Sequence, residues 1–135
     1  MRRVRMMTAA ALLVSTLALG GLPGAAQAHQ VMCQGRVATI VGTSGNNILQ
    51  GTSADDVIAG LEGNDVIDGH GGRDTLCGGR GVDTLHGDGN DDVLNGGPGD
   101  DILRGGDGTD LLDGGPGTDD CNGGLGNNTL LNCEN

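Results

Sequence analysis

From Gly42 to Leu131 the sequence repeats every nine residues without an insertion. The ten units are GTSGNNILQ, GTSADDVIA, GLEGNDVID, GHGGRDTLC, GGRGVDTLH, GDGNDDVLN, GGPGDDILR, GGDGTDLLD, GGPGTDDCN and GGLGNNTLL. A period this short decides the class of architecture, because nine residues cannot bury an apolar side chain alone and must stack on their neighbours. Glycine fills the first position of all ten units and the fourth of eight. The sixth position is Asp in eight units and Asn in the other two (Asn47, Asn128), and the eighth is Leu or Ile in nine, with Cys121 the exception.

Each column has a physical reading. Glycines at the first, second and fourth positions permit positive φ and close backbone approach, as a tight turn exposing its carbonyls requires. Positions seven to nine form a short strand whose middle side chain points to the opposite face from its flanks. Leu49, Ile58, Ile67, Leu76, Leu85, Leu94, Leu103, Leu112 and Leu130 should therefore line an interior. The seventh column, rich in Ile, Val and Thr, reads as an outward strand surface. Helical periodicity is missing from these repeats, so the expected fold is all-β and solenoidal.

The composition sharpens the question of what holds such a solenoid together. The chain contains no Phe, Tyr or Trp and no lysine, so its core is a single column of aliphatic side chains. Its glycine-rich backbone loses much conformational entropy on folding, and its acids repel one another. A ligand that binds the folded form is needed. Turns crowded with free carbonyls and one carboxylate each make an oxygen-only, flexible, negatively charged site. That suits Ca²⁺, a hard cation, better than zinc or copper.

Residues 1–28 read as a cleaved secretory signal: a basic start (Arg2, Arg3, Arg5), an apolar run from Thr8 to Leu19, and small residues at Ala26 and Ala28. The run is too short to favour a membrane anchor. The remaining residues, 29–135, carry all 18 acids against four arginines (Arg36, Arg73, Arg80, Arg104), a formal charge of −14. No nucleic-acid partner is expected, and no membrane insertion after signal cleavage, because the cations and stacking aromatics for such contacts are missing. Residues 29–41 are expected to supply an N-terminal capping strand over Val37–Val41 with Ile40 in the inward column, 42–131 the repeat array, and 132–135 a short tail.

GGPGDDILR and GGDGTDLLD match GGxGxDxUx, where U is a large aliphatic residue, and the array resembles the hemolysin-type calcium-binding (RTX) repeat family. The resemblance implies a right-handed parallel β-roll of ten nonapeptides, two per coil, with calcium between stacked turns. Sixth-position carboxylates and turn carbonyls would hold it. Turns 18 residues apart would then face each other as Asp56/Asp74, Asp65/Asp83, Asp74/Asp92, Asp83/Asp101, Asp92/Asp110 and Asp101/Asp119. That makes about six ions, with carbonyls from Gly78, Gly87, Gly96, Gly105 and Gly114 and weaker end sites at Asn47 and Asn128. Ala54 and Asn90 replace the fourth glycine, while Thr43, Thr52, Leu61, His70 and Asp88 replace the second, so turns in the first half should be less regular. Family members often carry these repeats beside a protease, lipase or toxin domain. Only Asn132–Asn135 follow the last repeat here, so those activities are not expected to carry over.

Four cysteines in an exported chain admit three pairings. Cys121, in the inward column, and Cys133, just past the last repeat, are placed to staple the C-terminal end, which leaves Cys33 for Cys77; a metal–cysteine site is the alternative, without a CxxC to support it. Adjacent carboxylates such as Asp100-Asp101 follow the repeat and point to opposite sides, so they do not read as a glycosidase pair. An EF-hand fails because counting back from Glu62 or Glu134 puts glycine where its first aspartate belongs. His70 and His86 fall in turn and strand-edge columns and read as solvent-exposed. The expected function is a secreted, non-enzymatic calcium-binding protein that folds on meeting calcium. An adhesion or envelope scaffold, with a cell-envelope or self-association partner, is the alternative. A polysaccharide-active enzyme on a solenoid would need a break in the period that the array lacks.

Overall fold

A computed structural model describes residues 29–134, and the signal-sequence reading of residues 1–28 lies outside the described residues. Thirteen strands follow one another, with no helix among the described residues: β1 (Met32–Cys33), β2 (Arg36–Val37), β3 (Ile40–Val41), β4 (Ile48–Gln50), β5 (Val57–Glu62), β6 (Val66–Asp68), β7 (Thr75–Arg80), β8 (Thr84–Gly89), β9 (Val93–Asn95), β10 (Ile102–Asp107), β11 (Leu111–Asp113), β12 (Asp120–Leu125) and β13 (Thr129–Leu131). From β4 onward each strand begins at the seventh position of its unit. Consecutive strands alternate between two parallel sheets, one of six strands in the order β13-β11-β9-β7-β5-β3 and one of five in the order β12-β10-β8-β6-β4. Residue i pairs with i+18, as in Ile58↔Leu76, Leu76↔Leu94 and Leu85↔Leu103. Two units make one coil, and the molecule is a parallel β-roll of about five coils.

The interior is the eighth column. Ile58, Ile67, Leu76, Leu85, Leu94, Leu103 and Leu112 are fully buried and Cys121 continues the row, with Ile40, Leu49 and Cys133 packed at its ends. Each buried aliphatic side chain contributes about 1.5–3 kcal/mol relative to exposure. Leu130 corrects the expectation: it is 42 % exposed, because β13 is the last strand of its sheet and no further coil covers it.

Turn conformation follows the glycine columns, with a division of labour between them. The second and fourth positions are left-handed from the third unit onward, including the non-glycine Leu61, His70, Asp88 and Asn90. First-position glycines do not share that conformation. Their constraint is space: a Cβ on Gly87 would lie 2.7 Å from the Gly105 carbonyl oxygen and closer still to the Asp92 carboxylate. The first two units, with Thr43 and Thr52 at the second position, turn differently, and each threonine bonds the sixth-position side chain of its own turn.

The N-terminal segment departs from the single strand expected over Val37–Val41. β1 and β2 pair antiparallel as a hairpin, and the chain bends before β3, which adds to the six-stranded sheet with Ile40 beside Ile58. The hairpin lies against the outer face of that sheet, where Cys33, Val57 and Ala59 bury one another with Val31, Ala38, Leu61 and Cys77 around them. Arg36 donates from Nη1 to the Thr75 hydroxyl at 2.8 Å. Val57 and Thr75 are thus buried, although the seventh column otherwise tends outward, with Ile48, Val66 and Leu111 exposed. An antiparallel return over residues 32–37 closes the hairpin's own backbone bonds, which a lone strand across an already paired sheet face could not do. Cys33 is bonded to Cys77 and Cys121 to Cys133, so one bridge pins the hairpin and the other pulls residue 133 onto the last coil.

Candidate metal centre

The turns stack along two edges of the roll. Turns 60–65, 78–83, 96–101 and 114–119 follow the six-stranded sheet, and turns 51–56, 69–74, 87–92 and 105–110 follow the other. Each turn ends in its sixth-position aspartate, and all eight of these aspartates are buried. A column of carboxylates inside a protein demands partners, because an unpaired buried charge is strongly unfavourable.

Half of each carboxylate is satisfied. The backbone N–H of Asp65 donates to Oδ1 of Asp83 at 2.7 Å, Asp83 to Asp101 at 2.7 Å and Asp101 to Asp119 at 2.8 Å. On the opposite edge Asp56 donates to Asp74 at 2.8 Å, Asp74 to Asp92 at 2.8 Å and Asp92 to Asp110 at 2.9 Å. With the Asn47 N–H donating to Asp65 Oδ1 at 2.7 Å, one oxygen of every sixth-position aspartate except Asp56 is thereby fixed by the coil before it. The other is left bare. Oδ2 of Asp65, Asp74, Asp83, Asp92, Asp101, Asp110 and Asp119 is buried without a hydrogen-bond partner.

These bare oxygens face other oxygens. A Cβ on Gly60 would meet Asp65 Oδ2 and the Gly78 carbonyl oxygen together, and the same pairing recurs for Asp74 with Gly87, Asp92 with Gly105, and Asp101 with Gly114. Carboxylate and carbonyl from successive turns therefore converge with no donor hydrogen between them. Burial is the main reason the carboxyls titrate high. Desolvation, partly opposed by the backbone hydrogen bond and reinforced by neighbouring carboxylates, raises Asp74 to about 6 and Asp92 and Asp101 to about 7. Asp83, Asp110 and Asp119 are raised for the same leading reason. Carboxylate oxygens that lack donors, face carbonyl oxygens and carry unfavourable charge match the donor set of a hard divalent cation, so the residues present fit calcium.

The expected site residues divide at the ends of the ladders. Asp56 lies in register, but its Oδ2 is already bonded by the Thr52 N–H at 2.6 Å and hydroxyl at 2.9 Å. Asn47 Oδ1 is taken by the Thr43 N–H at 2.7 Å, and Asn128 Oδ1 by the Asp110 N–H at 2.7 Å. Asn128 thus continues the backbone ladder with a neutral side chain, whereas Asn47 caps its own turn and joins the ladder through its N–H, which donates to Asp65 Oδ1 at 2.7 Å.

Two features escaped the sequence reading. Glu134 ends one ladder: its Oε2 accepts the Asp119 N–H at 2.8 Å, and its own N–H returns a bond to the Asp119 carbonyl at 2.9 Å. Its separation from Asp119 is 15 residues rather than 18, a register break that hid it. The longer side chain and the Cys121–Cys133 bridge make up the difference. The fifth column also forms an exposed ladder of opposite sense, in which Asn46, Asp55, Asn64, Asp91 and Asp100 accept from the backbone 18 residues later. The enrichment of that column in Asn and Asp was its only signal.

Compared with known protein families, the chain matches the RTX calcium-binding nonapeptide repeat (4 copies) over residues 41–76, 73–103 and 95–130. Searches of curated proteins and of solved structures returned no significant match. Those three spans cover about two-thirds of the sequence and coincide with the stacked turns that hold the bare aspartate oxygens. The chain belongs to the RTX calcium-binding nonapeptide repeat family.

Proposed function

We propose that the protein is a secreted, non-enzymatic calcium binder whose roll folds when ions enter the spaces between stacked turns. The observation that carries this reading is the set of seven buried Oδ2 atoms without partners. Five inter-turn spaces have such an oxygen on both walls: Asp65/Asp83, Asp83/Asp101, Asp101/Asp119, Asp74/Asp92 and Asp92/Asp110. First-position carbonyls, those of Gly78, Gly87, Gly105 and Gly114 among them, complete the lining. The sixth space, Asp56/Asp74, is the weakest because Thr52 already engages Asp56. Bound calcium would supply the positive charge these walls lack and link each turn to the next.

Secretion fits the same chemistry. A chain with formal charge −14 over residues 29–135 and a one-residue-wide core stays loose where calcium is scarce and compacts where it is plentiful, because a ligand specific to the folded form shifts the equilibrium toward it. Its residues are given over to the structural columns of the period, which favours a binding or scaffold role over catalysis.

The test is far-UV circular dichroism of the full chain titrated with calcium, then chelator, with magnesium as control. A cooperative, calcium-specific transition to a β spectrum is expected. A spectrum already fully β in chelator would reduce calcium to an accessory. A chain still unfolded at millimolar calcium would overturn the reading.

A further inference from the structure

Outside the aspartate ladders, a second set of ligating side chains gathers where β6 runs into its turn. Asp68 ends β6, His70 lies two residues on, and Asp88 occupies on the next coil the position His70 holds on this one. His70 Nδ1 is 3.3 Å from Asp68 Oδ1 and 4.0 Å from Asp88 Oδ2, and one ligand atom from each of the three lies within 4.8 Å of the others. The backbone holds the group together: the His70 N–H donates to Asp68 Oδ1 at 3.2 Å, and Asp68 pairs in register with His86. One imidazole and two carboxylates thus meet across adjacent coils, with a second imidazole, His86, in register beside Asp68. The chain has only three histidines, and one of them sits in this cluster while another pairs in register with its Asp68.

We infer that Asp68, His70 and Asp88, with His86 as the fourth donor, form a site for a borderline transition-metal ion of the zinc class, separate from the calcium ladders. The donor chemistry distinguishes the two kinds of site. The ladders present oxygen alone, whereas imidazole nitrogen suits zinc, cobalt or nickel and is a poor calcium ligand. The spacing agrees. Ligands about 2.0–2.1 Å from a tetrahedral ion lie roughly 3.3–3.4 Å apart. The 3.3 Å separation already satisfies this, and the 4.0 Å one closes by a small rotation of side chains that are 45 % and 53 % exposed. That exposure also gives an ion a path in from solvent. A protonated His70 held between two aspartates would account for the same contacts without a metal, and the experiment separates the two.

Suitable variants follow from the backbone. His70 and Asp88 have φ of +72° and +76°, in a column where Gly79, Gly97, Gly106, Gly115 and Gly124 adopt the same left-handed conformation. His70→Gly and Asp88→Gly therefore remove ligands while restoring the residue best suited to the turn. The tag-free full chain, in saturating calcium, is titrated with Zn²⁺ by calorimetry and with Co²⁺ by visible absorption, while histidine resonances are followed by NMR. The expected result is one Zn²⁺ per chain, shifts at His70 and His86, and at least tenfold weaker binding in each glycine variant with calcium-dependent circular dichroism unchanged. Zinc binding of undiminished affinity in His70→Gly would overturn the proposal, as would its absence in the parent chain or its suppression by calcium. Circular dichroism before each zinc titration keeps the two questions apart. Zinc that shifts His70 in a chain calcium has left unaltered would sustain this site and sink the calcium-folding reading.

Discussion

At the scale of a residue, the sixth-position aspartate has two tasks, one for each oxygen. Oδ1 accepts the backbone N–H of the preceding coil, and Oδ2 stands bare against a carbonyl of the following one. Asparagine can perform the first task but not the second. Asp92→Asn should therefore act with opposite signs in two conditions. In chelator the amide can donate to the Gly105 carbonyl, and removing an unsatisfied buried group should raise stability by about 1–3 kcal/mol. In calcium the two spaces that Asp92 borders should lose their ions and stability should fall, which thermal unfolding and an ion count by equilibrium dialysis would show together. The first-position glycine is constrained by contact rather than by φ. Gly87→Ala would drive a Cβ into the Asp92 carboxylate and the Gly105 carbonyl. A loss of about 1–3 kcal/mol or more is expected, from overpacking against backbone that has nowhere to shift, and denaturant unfolding in calcium would measure it.

At the scale of an element, the repeat solves its interior uniformly and its ends individually. Each central strand is covered on both sides by copies of itself 18 residues away, so one aliphatic residue per unit completes the core. The two termini have no such copy. At the start, the β1–β2 hairpin turns over the sheet face and is held by Cys33–Cys77, a bridge across 44 residues of the kind that restricts the unfolded chain by about 2–4 kcal/mol. At the other end, Glu134 stands in for the aspartate of a further coil. Glu134→Ala should leave the Asp119 N–H unmatched and fray the last coil, seen as faster amide exchange at Asp119 and along β13. Glu134→Gln keeps an acceptor and should retain most of that protection. Equal loss in both variants would mean that charge, not hydrogen bonding, holds the end.

At the scale of the whole molecule, stacking forces like charges into two lines, and pH becomes a lever on folding. The folded-state carboxyls of Asp74, Asp92 and Asp101 sit at about 6, 7 and 7, against 3.8 for the ordinary group. Raised acids bind more protons in the folded than in the unfolded chain between these values, so without calcium their contribution favours folding at acid pH and is lost as pH climbs from about 4 through 7. Chelator-treated protein should accordingly gain β structure on acidification, the reverse of ordinary acid denaturation. Calcium binding near pH 6 should release protons, measurable as a buffer-dependent calorimetric heat, and its affinity should weaken as pH falls through the same window. A metal-free β signal that is flat or rises with pH would contradict this account of the ladders.

Much of this protein could be read before any coordinates, because its period is local chemistry repeated. A nine-residue spacing of glycine, aspartate and leucine dictates short strands, left-handed turn residues and an inward aliphatic row, and nearly every strand begins where the seventh position falls. The same regularity singled out the aspartates as candidate ligands, since column identity is a property of sequence alone. What only the tertiary structure decided lies where the period stops or where neighbouring coils combine. The hairpin folded over the sheet, the exposure of Leu130 and the ladder-ending Glu134 depend on which surfaces lack a stacked copy, and no column records that. Nor could a linear reading tell which oxygen of each carboxylate is bonded and which is bare, or that Asp68, His70 and Asp88 meet. Those facts arise when residues of successive coils come within a few ångströms, a distance set by the superhelix rather than by any single repeat.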